Sequence, residues 1–426
     1  MHSKDERKEA FVEFLKIPSV TASKGELRAA EWLENQLRKA RIPSERVAGT
    51  KGRPNILAKL SAGRPSGKPP LVLISHFDVV SPGDETLWAA PPFGAETLDG
   101  RIFARGALDT KQLTLMELSA FLNLSERQTE LTRDVLFLAT LDEESGSGAG
   151  MDLVKQKRPE LFRGAVVLNE GGGFPLEIGG GNYLPLTVGE KAACRVKLRS
   201  AGDAGHAAAP GENQAIPKLA AALRDVFSQA ETLPLGSRRT YEQMRGILRT
   251  EEPDNPAAAM LCSYAKRNTV GMRNYRIGQR VNVLPSSVEA VLEFRLLPGA
   301  KEEEIASFLR RCLADIGTDY EILSFQPGFE NDFGSPDFQE IVRLLEQSCE
   351  KNGFRCTVLP MLALGRTDGR FFGCEKSMIF GCSPLLLQDS FDQVLKKVHG
   401  INESIAEESF EFGSLVLDGL IRGVSC

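Results

Sequence analysis

Residues 71–80 read Leu-Val-Leu-Ile-Ser-His-Phe-Asp-Val-Val. The first five are an unbroken apolar run ending in a small hydroxyl residue, the pattern of a strand covered on both faces. His76 ends that strand, and Asp78 follows two residues later, so in an extended segment both side chains point the same way. That edge, beyond the carboxyl ends of the strands, is where open α/β sheets bind ligands. Further runs of the same kind occur at 55–60, 135–140, 166–168, 357–359 and 378–380, with a helical stretch at 112–124 before 135–140. Two amphipathic helices open the chain at 6–15 and 25–40, their apolar stripes carried by Phe11, Phe14 and Leu15 and by Ala29, Trp32, Leu33 and Leu37. Together they predict an α/β fold: one mostly parallel, helix-covered sheet.

The middle of the chain has another texture. Residues 193–199 and 288–295 alternate apolar and polar side chains, as half-exposed antiparallel strands do, and helical stretches follow at 214–230 and 301–315. This order predicts a smaller α+β domain at 189–325, with 232–265 left unplaced. Ser335-Pro336 supplies an N-cap with proline at the first helical position, and Gly353 a C-terminal stop. That helix returns the chain to the first domain, which is therefore expected from 1–188 and 326–426 with 189–325 inserted.

Length and charge narrow the function. At 426 residues the chain has material for two or three domains. Its 52 basic and 57 acidic side chains leave a net charge of -5, which offers no field for nucleic acid or an anionic membrane. Small molecules are the expected partners. The charged opening Met-His-Ser-Lys-Asp-Glu-Arg lacks the apolar core of a signal peptide, and no apolar run reaches membrane-spanning length, so a cytoplasmic setting is expected. Eight cysteines, including Cys374, are scattered without a C-x-x-C pair and read as reduced thiols. Walker and G-x-S-x-G motifs are absent. The glycines at 171–173 and 179–181 read as loop or hinge residues.

The chemistry gathers at the strand ends. Of four histidines, His2 sits in the terminus, leaving His76, His206 and His399. Asp109 precedes a helix, where N-capping is the plain alternative. Glu143 and Glu144 come directly off the run 135–140, and Glu170 ends the next strand in the same way. Adjacent acids are common on solvated surfaces, yet five carboxylates and one histidine converging on one sheet edge would repel one another without cations. Mixed nitrogen and oxygen donors suit zinc better than calcium or magnesium.

At this point the residues resemble a known family, the co-catalytic dizinc aminoacylases and carboxypeptidases. The strings Ser75-His-Phe-Asp-Val-Val80, Trp88-Ala-Ala-Pro-Pro-Phe93, Asp99-Gly-Arg-Ile-Phe-Ala-Arg-Gly-Ala-Leu-Asp109, Asp142-Glu-Glu144, Gly205-His-Ala-Ala-Ala-Pro210, Asn282-Val-Leu-Pro285, Gly365-Arg-Thr-Asp-Gly-Arg370 and Val398-His-Gly-Ile-Asn-Glu403 follow the family's order. The resemblance implies one zinc on His76, Asp109 and Glu170, and a second on the shared Asp109 with Glu144 and His399. Cobalt and manganese are the alternative metals. It implies Glu143 as general base, while Asp78 is the carboxylate that its i+2 spacing already sets to orient His76. It further implies His206 and Asn282 at the oxyanion and Arg295 and Arg370 as grips for a substrate carboxylate, a surface ion pair being the alternative for each arginine. The smaller domain is implied to serve as lid and homodimer interface. Arg366 departs from the small residue usual in relatives.

The strings around Arg105, Glu170 and 383–403 look most like carboxypeptidase S and the N-acyl amino acid hydrolases. The expected function is therefore zinc-dependent hydrolysis of the amide of N-acyl amino acids or short peptides with a free carboxylate. Deacylases of acetylornithine or succinyl-diaminopimelate are the nearest alternative, and a two-metal phosphoesterase or a non-catalytic relative lies further off.

Overall fold

The computed structural model describes residues 1–426 except 2, 50, 51, 234, 235, 278–281 and 374–376, so His2 and Cys374 lie outside the described residues. The chain divides into two compact units: Met1–Val188 with Glu252–Ala259 and Asn331–Cys426, and Gly189–Glu251 with Met260–Glu330.

The sheet of the first unit runs, in spatial order, through Ser44–Ala48, Pro54–Leu60, Val135–Thr140, Leu71–His76, Val166–Asn169, Met378–Gly381 and Gly181–Glu190. The four strands from Val135–Thr140 to Met378–Gly381 pair in parallel. Both flanks turn antiparallel, with Pro54–Leu60 on one side and Thr187 opposite Gly381 on the other. Every residue of Leu71–His76 and Val135–Thr140 is buried, as the unbroken apolar runs require. Helix Lys111–Ser125 packs on the central strand, and helix Glu407–Ser425 packs on it in turn and on helix Pro336–Lys351. Phe11 stacks on Phe410 at 4.1 Å between ring centres, tying the first helix to the last. Ser335 caps its helix as expected, its Oγ accepting from the Phe338 N–H at 3.1 Å.

Parallel pairing brings the strand ends to one edge, since His76 stands opposite Thr140 and Gly381 opposite Asn169. The segments that leave this edge are 77–78, 141–144, 170–173 and 382–383. Gly173 sits at φ 89°, and a Cβ there would lie 2.4 Å from the Ser383 carbonyl carbon. Gly172 and Gly173 thus let the loop after Glu170 lie directly against strand Met378–Gly381 and its continuation, a close-packing role within the loop that the sequence suggested.

The second unit holds a four-stranded antiparallel sheet in the order Thr269–Arg276, Ser287–Leu296, Ala192–Ala201, Thr318–Gln326. Strand Ser287–Leu296 alternates half-buried and buried residues along its whole length. Helices Ala215–Ser228 and Glu302–Cys312 pack against the sheet. The segment left unplaced by sequence contains helices Arg239–Leu248 and Pro256–Lys266. The first of these begins on Glu330, whose carboxylate accepts from the Thr240 N–H at 2.9 Å. Among the described residues no helix is long and apolar enough to cross a membrane.

Candidate metal centre

His76 is buried at the end of its strand, with Nδ1 3.0 Å from the Asp78 carbonyl oxygen and 3.4 Å from its carboxylate. The imidazole is therefore oriented first by a backbone carbonyl, where the sequence had suggested the carboxylate. The Asp78 carboxylate is occupied elsewhere, accepting from Thr21 Oγ1 at 2.8 Å and from the Glu143 N–H at 3.2 Å. It thereby holds the turn that carries Glu143 and Glu144.

With Nδ1 turned to the Asp78 carbonyl, His76 Nε2 faces two acids, Asp109 Oδ1 at 3.2 Å and Glu170 Oε2 at 3.6 Å, as the donor of a hydrogen bond or, once deprotonated, as a metal ligand beside them. The other oxygen of Asp109, Oδ2, lies 3.0 Å from His399 Nε2, and Glu144 Oε2 lies 3.1 Å from that same nitrogen. One carboxylate thus faces two imidazoles, one through each oxygen, and each imidazole has a second acid of its own. Asp109 is free to do this because the N-cap of helix Lys111–Ser125 is Thr110, and no side chain caps it. Donors 2.0–2.1 Å from a tetrahedral ion stand roughly 3.3 Å apart, so separations of 3.0 to 3.6 Å fit two neighbouring ions sharing Asp109. Donor atoms of His76, Glu143 and Glu170 also cluster within 4.8 Å, as do those of His76, Asp109 and Glu144.

A sequence profile of peptidase family M20/M25/M40 matches residues 72–423. The chain belongs to that family. This M20 chain is 26% identical over 375 residues to the human N-fatty-acyl-amino acid synthase/hydrolase PM20D1, covering 80% of itself and 71% of that protein. It is 24% identical over 371 residues to a probable carboxypeptidase S-like protein 2 of Dictyostelium discoideum, covering 80% and 69%. Among solved structures it superposes on the M20 metallo-carboxypeptidase Sso-CP2 of Sulfolobus solfataricus with TM-score 0.73 at 20% identity, covering 98% and 99% of the two chains. The fold and the hydrolase class expected from sequence are those of this metallopeptidase family.

Electrostatics at the M20 site follow from crowding. Burial, reinforced by the charge of Glu170, pushes the Glu143 carboxyl well above the ordinary range, and burial also raises Glu170 and Asp368. Burial alone would lower His76, but the Glu170 charge and bonds to Asp109, Asp78 and Glu170 carry it well above 6.5. His399 is raised to about 10 by its bonds to Asp109 and Glu144. Acids crowded this closely favour positive charge between them, which two divalent ions would provide.

Arg370 is placed differently from a free substrate grip. Its Nη1 donates to the Thr367 carbonyl at 2.7 Å and its Nη2 to Ser147 Oγ at 2.8 Å. Arg295 lies in the second unit with Nη2 2.7 Å from Glu293 Oε1, the ion pair named as its alternative. His206 and Asn282 come together in that unit: His206 pairs with Val283 across a short ladder, and the Ala207 N–H donates to the Asn282 carbonyl at 3.1 Å. Both side chains are exposed.

Three residues escaped the sequence reading although the quoted strings contained them. Asp368 is buried beneath the site and accepts from Ser147 Oγ at 2.6 Å and Thr140 Oγ1 at 2.8 Å. Arg105 and Glu403 form a buried pair at 2.6 Å under the Asp109 turn. Beside the acids opens a cavity of about 360 Å³ whose apolar wall includes Phe174, Met361, Leu364, Phe391, Val394 and Leu395.

Proposed function

We propose that this M20 hydrolase cleaves the amide of an N-acyl amino acid or short peptide bearing a free carboxylate, with one zinc on His76, Asp109 and Glu170 and another on Asp109, Glu144 and His399. The observation that carries this reading is Asp109, whose two oxygens face the Nε2 atoms of His76 and His399 at 3.2 and 3.0 Å. When bound, two such ions polarise the scissile carbonyl and make water acidic enough to lose a proton near neutrality. Glu143 stands beside the donors without being needed to complete either triad, and serves as general base: its carboxylate takes the proton from water and returns it to the departing nitrogen. The basicity that burial gives this carboxyl suits that exchange. Asp78 and Arg370 hold Glu143 in place from its backbone and its carboxylate sides.

The apolar cavity wall supports a long acyl group on the nitrogen of the amino acid, with the amino acid as the leaving group. The name of the human relative points the same way. For His206, Asn282 and Arg295, for a lid and dimer interface at 189–325 flanked by a catalytic domain of 1–188 and 326–426, and for a cytoplasmic setting, the support is the sequence reading alone. Light scattering tests the dimer.

Amine release is to be measured from N-acetyl, N-succinyl and long-chain N-acyl amino acids and from dipeptides, with chelated protein before and after zinc is restored. Zinc-dependent release is expected. Absence of release from every substrate with two ions bound would overturn the reading.

A further inference from the structure

Asp109 and His399 sit on loops far apart in the chain, and one buried pair joins them. Glu403 is fully buried, and its Oε1 accepts from the N–H groups of Leu108 at 2.7 Å and Asp109 at 3.2 Å. Its Oε2 accepts from the Gly106 N–H at 3.1 Å and from Arg105 Nη1 at 2.6 Å. Its carbonyl takes the Ala104 N–H at 3.1 Å. The turn delivering Asp109 is thus wound around a single residue, and four of those bonds end on a charged carboxylate, the stronger class of hydrogen bond. Arg105 then reaches onward: Nη2 donates to the Gly400 carbonyl at 2.9 Å and to the His399 carbonyl at 3.4 Å. Its guanidinium carbon lies 5.2 Å from the centre of the Trp88 ring, which holds the fork from the other side.

We propose that Arg105 and Glu403 are positioning residues that set the spacing between Asp109 and His399, with Arg105 acting on the ion held by Asp109, Glu144 and His399. This rests on the two-ion reading above. The two loops gain their register from this pair, whose members are 298 residues apart in sequence. His399 depends on it because its imidazole is half exposed and its backbone sits at φ 60°, in the left-handed region. His76, by contrast, is fixed by its strand and by Asp78. The pair's two members therefore divide the labour. Glu403 orients the shared ligand Asp109 and affects both ions, whereas Arg105 reaches His399 and affects one.

The test is a zinc titration against a chromophoric chelator, with bound metal counted directly, for the wild type, Arg105→Lys, Glu403→Gln and His399→Ala. Lysine keeps a charge beside Glu403 but has no planar fork to span the carbonyls of 399 and 400. Arg105→Lys is expected to weaken one of the two zinc steps by roughly 10- to 100-fold, the step that His399→Ala abolishes, and to leave the other unchanged. Glu403→Gln is expected to weaken both. The metal-free Arg105→Lys form should unfold at the same temperature as the metal-free wild type, and excess zinc should restore its turnover, whereas metal-free Glu403→Gln should unfold at a lower temperature because it breaks a buried ion pair. Two unchanged steps in both variants, or equal weakening of both steps by Arg105→Lys, overturns the proposal. So does a fall in the unfolding temperature of the metal-free Arg105→Lys form without a selective loss. A wild type that takes up one ion overturns the two-ion reading, and this inference falls with it. Two wild-type ions with no effect of Arg105→Lys leave that reading intact and sink the inference alone.

Discussion

Arg370 Nη1 lies 3.7 Å from Glu143 Oε1 and 3.8 Å from Asp368 Oδ1, with the same guanidinium bonded to Thr367 and Ser147. Both its Nη atoms bond the wall of the site, and its charge lies beside two buried acids. The expected effect of Arg370→Met is therefore on turnover, a loss of roughly 10- to 100-fold in kcat, a fraction of what a general base contributes. A carboxylate grip behaves otherwise, raising KM with kcat preserved. Steady-state kinetics on one N-acyl amino acid separates the two, and a pure KM effect would return Arg370 to substrate binding.

Glu143 lies at the donors but outside the two proposed triads, so chemistry and metal binding should come apart there. Glu143→Gln removes the proton acceptor and keeps the volume. Turnover is expected to fall by about 10²- to 10⁴-fold while metal content stays at two ions per chain. Metal analysis paired with amine release checks this, and a variant that loses an ion would move Glu143 into the ligand set.

Asp109 serves both proposed ions, so its removal should exceed the loss of either imidazole. Asp109→Ala is expected to lose both zinc steps and the metal-dependent rise in unfolding temperature, whereas His399→Ala keeps one step. For the wild type, free zinc at a hundred times the dissociation constant adds about 2.7 kcal/mol per site to stability, if the unfolded chain binds none. Thermal unfolding with and without a chelator measures it. A wild type indifferent to the chelator would speak against resident metal.

The strand ends were legible because buried parallel strands announce themselves as apolar runs, and the residue after such a run must emerge at the sheet edge. His76, Glu143, Glu144 and Glu170 could be located on that ground alone. Asp109 was ambiguous, since a carboxylate before a helix looks like a cap whether or not it caps. Glu403 and Asp368 were illegible for a different reason. Their partners are backbone N–H groups, hydroxyls and, for Glu403, a guanidinium 298 residues away, all brought near by the fold, and such pairings leave no spacing in the sequence. The close packing of Gly172 and Gly173 depends likewise on strand Met378–Gly381 and its continuation, which lie about two hundred residues downstream. Arg370 shows the limit of reading by residue type, because an arginine suited to a carboxylate met two inside the protein.

Lys191, in the second unit, gives a pH prediction of its own. Its ammonium is buried, donating to the Arg267 carbonyl at 2.6 Å over the Tyr264 ring, and burial with the charges of Arg267 and Arg295 lowers it to about 7. Between pH 7 and its ordinary value near 10.5 the unfolded chain binds this proton and the folded chain does not. Stability from this group therefore rises with pH across that window and is lost as pH falls through 7. Lys191→Met should flatten the rise. Denaturant unfolding of both proteins at pH 7 and pH 10 gives the difference, and parallel slopes would reject the shift.

The cavity of about 360 Å³ is lined by Asp109, Glu143, Glu144 and Glu170 and by an apolar wall to which Leu108 and Val398 also belong. Phe391 and Val394 are buried in that wall, while Leu395 stands 45% exposed. An alkyl chain entering from the acids leaves water one methylene at a time, and each buried methylene is worth about 0.8 kcal/mol, or roughly fourfold in kcat/KM. The expected series of N-acyl amino acids therefore climbs with acyl length and levels off once the chain outgrows the cavity. Val394→Glu places a charge in the wall and should erase the climb while sparing N-acetyl substrates, which do not reach it. A flat series in the wild type, with N-acetyl cleaved as well as long chains, would assign the cavity to another part of the substrate. An amino acid side chain entering there would instead show as dependence on the residue released.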